Sequence, residues 1–76
     1  MSADIHAHLD AMAETAKADA DRFGLPSPGG RVLYDMAFGA LLLAWRMQAI
    51  TTDEYMRRWD ALQGDIRSRV KEQEAA

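Results

Sequence analysis

The sequence predicts an all-α fold: a small three-helix bundle with helices near residues 3–23, 30–50 and 52–72, open to completion by dimerisation. Three observations carry that reading. The stretch Val32–Ile50, VLYDMAFGALLLAWRMQAI, is charged only at Asp35 and Arg46 and consists mostly of good helix formers. The segments on either side each carry one apolar stripe at helical spacing. Both connections between these segments are short and contain recognisable stop and start signals.

Size and composition bound what such a bundle can do. Seventy-six residues make a single domain, residues 1–76, with the ends 1–2 and 73–76 expected to fray. A chain this small buries only about 60 % of its unfolded surface, so its core is marginal. With no cysteine there is neither a disulfide framework nor a thiolate metal site to reinforce it. Dense helix packing or a second chain must do so instead. The N-terminus MSADIHAHLD lacks the basic and apolar regions of a secretory signal. The longest uncharged run, Met36–Trp45, is far shorter than the roughly 20 residues of a membrane span. These features point to a soluble, cytoplasmic protein with no membrane partner. The net charge is −3, and no segment has the basic excess that advertises nucleic-acid binding.

In the first helix, Ser2 or Asp4 is an acceptable N-cap. Ile5, Leu9, Met12, Ala16 and Phe23 fall on one stripe, widened by Ala13 and Ala20. Lys17 and Asp21 are spaced for an i,i+4 pair on the polar face. Phe23-Gly24-Leu25-Pro26 reads as a stop, with Gly24 in a left-handed conformation, Leu25 folding back and Pro26 preventing continuation. The linker LPSPGG follows. Ser27 and Pro28 suit an N-cap and first helical position, but Gly29 and Gly30 weaken that turn and favour a later start.

Wound at about 100° per residue, the central helix divides into sectors. Val32, Met36, Leu43, Met47 and Ile50 are aliphatic; Leu33, Ala37, Ala40 and Ala44 are mostly small; Tyr34, Phe38, Leu41 and Trp45 are bulky and largely aromatic. Only Asp35, Gly39 and Arg46 are left for water. The small sector invites one close-packed helix and the aromatic sector another.

Thr51-Thr52-Asp53-Glu54 fits a capping box, with Ile50 and Tyr55 as its hydrophobic staple. Tyr55, Trp59, Leu62, Ile66 and Val70 form the third stripe, with Met56 on its flank. Asp53–Arg57, Glu54–Arg58 and Asp65–Arg69 are acid-first i,i+4 pairs. Gly64 interrupts this helix on its polar side without an evident reason. The segment AITTDEYMRRWDAL is similar to the I-T-x-x-E-[FY] helix starts of short bacterial helix-turn-helix-like oligomerisation segments. That likeness rests on the capping box and staple alone.

Candidate chemistry is sparse. His6 and His8 point about 200° apart on a helix and cannot share a metal; with Asp4 and Asp10 they make ordinary surface pairs. Pro28-Gly29-Gly30-Arg31 lacks the strand, lysine and hydroxyl of a phosphate-binding loop. No nucleophile–base–acid set can be placed, so neither an enzyme nor a cofactor is expected. Arg57, Arg58, Arg67, Arg69 and Lys71 alternate with acids, as on a solvated face. They support only a secondary expectation, a nucleic-acid-associated regulator that uses these third-helix arginines.

What remains is surplus apolar surface. Two neighbouring helices cannot cover a helix with so narrow a polar sector, and soluble proteins usually reserve such patches for partners. The expected partner or dimer interface comprises Val32, Phe38, Leu42, Leu43 and Arg46, with Asp10, Glu14 and Asp21 facing a basic partner. The expected function is a non-enzymatic protein–protein interaction module acting by stoichiometric binding, with a second copy (a homodimer) among the expected partners. Small inhibitors or regulators of larger nucleoprotein complexes, phage-encoded ones included, share this economy of size; that step is analogy from class alone.

Overall fold

The computed structural model describes residues 4–25 and 27–75, with side chains through residue 72. It is an all-α three-helix bundle: α1 spans Ile5–Phe23, α2 Pro28–Arg46 and α3 Thr52–Ala75. The expected starts at Ala3 and Ser2, the stop at Pro26 and the fraying of residues 1–2 and 76 lie outside the described residues.

α1 is capped by Asp4, whose side chain accepts from the His6 amide at 3.0 Å. It ends at Gly24, whose φ of 82° lies where a side chain would be strained. Leu25 then turns inward and is buried, while Phe23, expected on the inner stripe, is half-exposed. The reversal explains the exchange. α2 begins so soon after Gly24 that Leu25 fills the end of the core. Phe23 is left outside, with its ring near Gly29 and Arg22 over its face at 5.1 Å.

α2 begins two residues before the expected position 30. Ser27 is the N-cap: its Oγ accepts from the Gly30 amide at 3.2 Å, and Pro28 takes the first helical position. Gly30 is there for space. A Cβ at residue 30 would stand 1.9 Å from the Gly24 carbonyl oxygen, so the end of α1 and the start of α2 touch backbone to backbone.

α2 also stops at Arg46, four residues short of the expected end at Ile50. Its last turn closes in a Schellman motif: the Gln48 amide donates to the Trp45 carbonyl at 2.9 Å and the Ala49 amide to the Ala44 carbonyl at 2.8 Å. Gln48 occupies the left-handed position, φ 62°, where glycine is usual. The early stop carries Ile50 into the core and brings Thr51 to the head of α3. There the Thr51 hydroxyl accepts from the Glu54 amide at 3.1 Å, one half of the capping box. The Glu54 carboxylate is turned instead toward Arg58 and His6. α3 runs past its expected end at residue 72 to Ala75.

The core joins Leu9, Ala16 and Ala20 of α1, Tyr34, Ala37, Leu41 and Ala44 of α2, Leu62 of α3, and the loop residues Leu25 and Ile50. α1 lies close against α2, as the alanines on both helices permit. α3 meets α2 through bulkier groups. Phe38 and Trp59 rings lie 4.6 Å apart, Trp45 stacks on Tyr55 at 4.8 Å, and Tyr55 reaches Trp59 at 5.7 Å. The Trp45 indole N–H donates to Thr52 Oγ1 at 3.0 Å. Aromatic pairs of this kind add about 0.5–1.5 kcal/mol each beyond the area they bury. The resulting body measures 44 × 23 × 15 Å, wider than it is thick, with α1 and α3 splayed on either side of α2.

The two linker glycines separate cleanly by experiment. Gly30→Ala forces a Cβ into the Gly24 carbonyl and should cost about 2–3 kcal/mol in urea unfolding. At Gly29 the nearest atom is 3.6 Å away, so Gly29→Ala should be neutral or stabilising by up to about 0.5 kcal/mol. Equal effects would contradict the backbone contact.

Candidate functional site

Two surfaces could carry chemistry or binding: the seam between α1 and α3, and the outer face of α2. The seam is charged. His6 Nδ1 lies 2.5 Å from Glu54 Oε2, Arg58 donates to Asp10 at 2.7 Å, and Arg69 donates to Asp21. All three pairs span the same sequence separation, 48 residues, so α1 and α3 run parallel and in constant register. Arg58 also holds Glu54 at 2.8 Å and Arg69 holds Asp65 at 3.0 Å, which are two of the three expected α3 pairs.

The network sets its own protonation. The Arg58 hydrogen bond, aided by His6, outweighs burial and holds the Glu54 carboxyl below its ordinary value. Burial disfavours the charged Arg58 guanidinium, but Glu54 and Asp10 overcome it and raise its pKa. Asp21 does the same for Arg69 against burial, with Asp65 assisting.

The first-helix acids expected to face a partner also pair within the chain, while their side chains stay largely exposed. Asp10 and Asp21 are bound by α3 arginines, and Glu14 pairs with Lys17 at 3.2 Å, displacing the expected Lys17–Asp21 pair. His6, expected to pair with Asp10, bonds to Glu54. The same contacts engage Arg58 and Arg69 of the supposed nucleic-acid face.

Between the two arginine bridges the seam opens into a groove of roughly 620 Å³. Leu9, Ala13, Leu41 and Leu62 give it an apolar floor and walls, and Gly64 lines it with no atom within 4 Å of a would-be Cβ. The absent side chain at Gly64 thus widens the groove. The bridges at Asp10–Arg58 and Asp21–Arg69 cross the seam at two levels 11 residues apart on each helix, about 16 Å. The groove is therefore too short and too strapped to seat a helix.

The outer face of α2 is different. Val32, Met36, Leu43 and Met47 are 47 %, 53 %, 59 % and 69 % exposed, and Leu42 is exposed beside them. They share one face with Gly39, Asp35 and Arg46, all exposed. Val32, Leu42, Leu43 and Arg46 of the expected interface lie here, together with Met36 and Met47, which were not among the expected residues and stand one turn from Val32 and Leu43 respectively. Phe38 does not belong. It is half-buried against Trp59, because α3 crosses α2 on the aromatic side. Gly39 has open space around it, so no contact within the chain requires a glycine at mid-helix, where it costs about 1 kcal/mol relative to alanine.

Among the described residues no three His, Asp or Glu side chains come together to hold a metal, and no helix is long and apolar enough to cross a membrane. No protein-family model matches the chain, nor does any curated protein or solved structure.

The seam makes stability depend on pH. Because the folded Glu54 carboxyl lies below its ordinary 4.5, ionised Glu54 stabilises the fold above that pH, and the contribution fades as pH falls through the folded value. Glu54→Gln should therefore lower the urea midpoint at neutral pH, and its deficit should shrink steadily below pH 4.5. A deficit that stays constant with pH would argue against an ionic role.

Proposed function

We propose that the chain is a non-enzymatic protein–protein interaction module that acts by stoichiometric binding through the exposed apolar face of α2. One observation carries this: four large aliphatic side chains, each about half exposed or more, line one side of a single helix and surround an unexplained glycine. Scattered exposed leucines need no explanation, but a continuous stripe of this kind marks an interaction site. The charged seam holds α1 and α3 in register and so keeps the α2 face presented on a rigid support. A small inhibitor or regulator of a larger nucleoprotein complex is the role that fits this size and chemistry by analogy.

The reading is tested with a photo-crosslinking amino acid at Leu43, compared with one at Arg67 on the exposed side of α3, in the native host. Position 43 should yield a single adduct of defined mass, lost when Met36→Asp and Met47→Asp are added. Position 67 should yield none. No adduct at 43, or equal labelling at both positions, would overturn the proposal.

A further inference from the structure

We infer that the partner of the α2 face is a second copy of this chain, docked antiparallel with the two-fold axis passing between Gly39 and Ala40; this rests on the α2 face being the binding surface. The stripe is symmetric about its middle. Val32 stands as far before the midpoint between Gly39 and Ala40 as Met47 stands after it, and Met36 and Leu43 are equally matched. A two-fold axis through that midpoint, perpendicular to α2, therefore places Val32 against the partner's Met47 and Met36 against the partner's Leu43. Such an isologous contact is self-complementary without any further residue.

Charge selects the orientation. Asp35 and Arg46 lie on the same edge of the face, beyond Gly39. In an antiparallel pair the two-fold axis keeps that edge on the same side of both helices. Asp35 then lies beside the partner's Arg46, offset by two residues or about 3 Å along the axis, within the reach of an arginine. The symmetric pair forms at the other end. In a parallel pair the two charged edges fall on opposite sides of the seam and neither contact can form. Among the described residues, Asp35 pairs only with the exposed Arg31, at 3.6 Å on its own helix, and Arg46 has no ion pair. Both remain available.

Gly39 completes the geometry. It sits beside the axis, where two helices cross most closely, and its own chain places nothing within 4 Å of a would-be Cβ. A glycine there has a purpose only if another backbone approaches. The opposite edge of the face, Met36 and Met47, is apolar and lies along the same edge of the second copy, with Met36 level with the partner's Leu43 and Met47 with the partner's Val32. It extends toward the half-exposed Phe23 through Gly29, which lies two turns before Met36 on the same side.

The absence of cysteine gives a direct test. Val32→Cys and Met47→Cys chains are prepared separately, mixed and oxidised, and the disulfides are assigned by mass spectrometry. Mixed Val32→Cys/Met47→Cys dimers should dominate, and unmodified protein should scatter light at twice the chain mass. Charge provides an independent arm. Asp35→Arg or Arg46→Asp alone should weaken the dimer several-fold, and the double exchange should restore it. Disulfides joining Val32→Cys chains to each other, with no rescue, would overturn the antiparallel orientation. A single-chain mass at all concentrations, with no crosslink, would overturn the second copy as partner. That result would leave the α2 face as a binding surface if the Leu43 crosslinker still finds another protein.

Discussion

α2 is apolar around most of its circumference, and among the described residues only two helices, α1 and α3, pack against it. Everything else follows from how those two are placed. α1 closes on the side of Ala37 and Ala44, where small residues let backbones approach. α3 meets Phe38 and Trp45 through Trp59 and Tyr55. Each neighbour serves the side whose shape suits it, and the aliphatic side carrying Val32, Met36, Leu43 and Met47 is left uncovered. The bare face is thus a consequence of the packing that stabilises the other two sides.

Because α1 and α3 are splayed by α2, they meet through long side chains and not through a dry core. Arginine suits that task. Its planar fork can hold an acid on its own helix and one on the opposite helix together, as Arg58 does with Glu54 and Asp10 and Arg69 with Asp65 and Asp21. Partly buried pairs with good geometry are worth more than isolated surface pairs, and these two networks also fix the parallel register. The register in turn leaves the groove at Gly64 between the bridges.

Much of the architecture was legible in the sequence because it is written in local patterns. The Thr51 cap, the Glu54–Arg58 and Asp65–Arg69 pairs, and the division of α2 into a small and an aromatic side all depend on residues within a few positions of one another. What was not legible depends on distant partners. Gly30 looks like a weak helix start until the Gly24 carbonyl is seen beside it. Nothing about Gln48 announces a left-handed residue, since that position is usually glycine. Asp10 and Asp21 read as acids for a basic partner, and nothing local shows that the separation of 48 residues brings arginines to them. Phe23 and Phe38 exchanged their expected exposure because chain reversal and helix crossing, not periodicity, decide what covers them. Of the α2 face, the part near the polar sector could be read from the wheel, whereas Met36 and Met47, grouped with Val32 and Leu43 in one aliphatic sector, were not named as part of it.

The central claim is that the aliphatic side of α2 is covered in solution by another protein surface. Methionine methyl groups report on this directly, because Met36 and Met47 lie on that face while Met56, similarly exposed within the single chain, lies on α3. With methyl-labelled methionine and a soluble paramagnetic probe, the account predicts that concentrated protein protects Met36 and Met47 from broadening while Met56 broadens fully. Equal broadening of all three would contradict it.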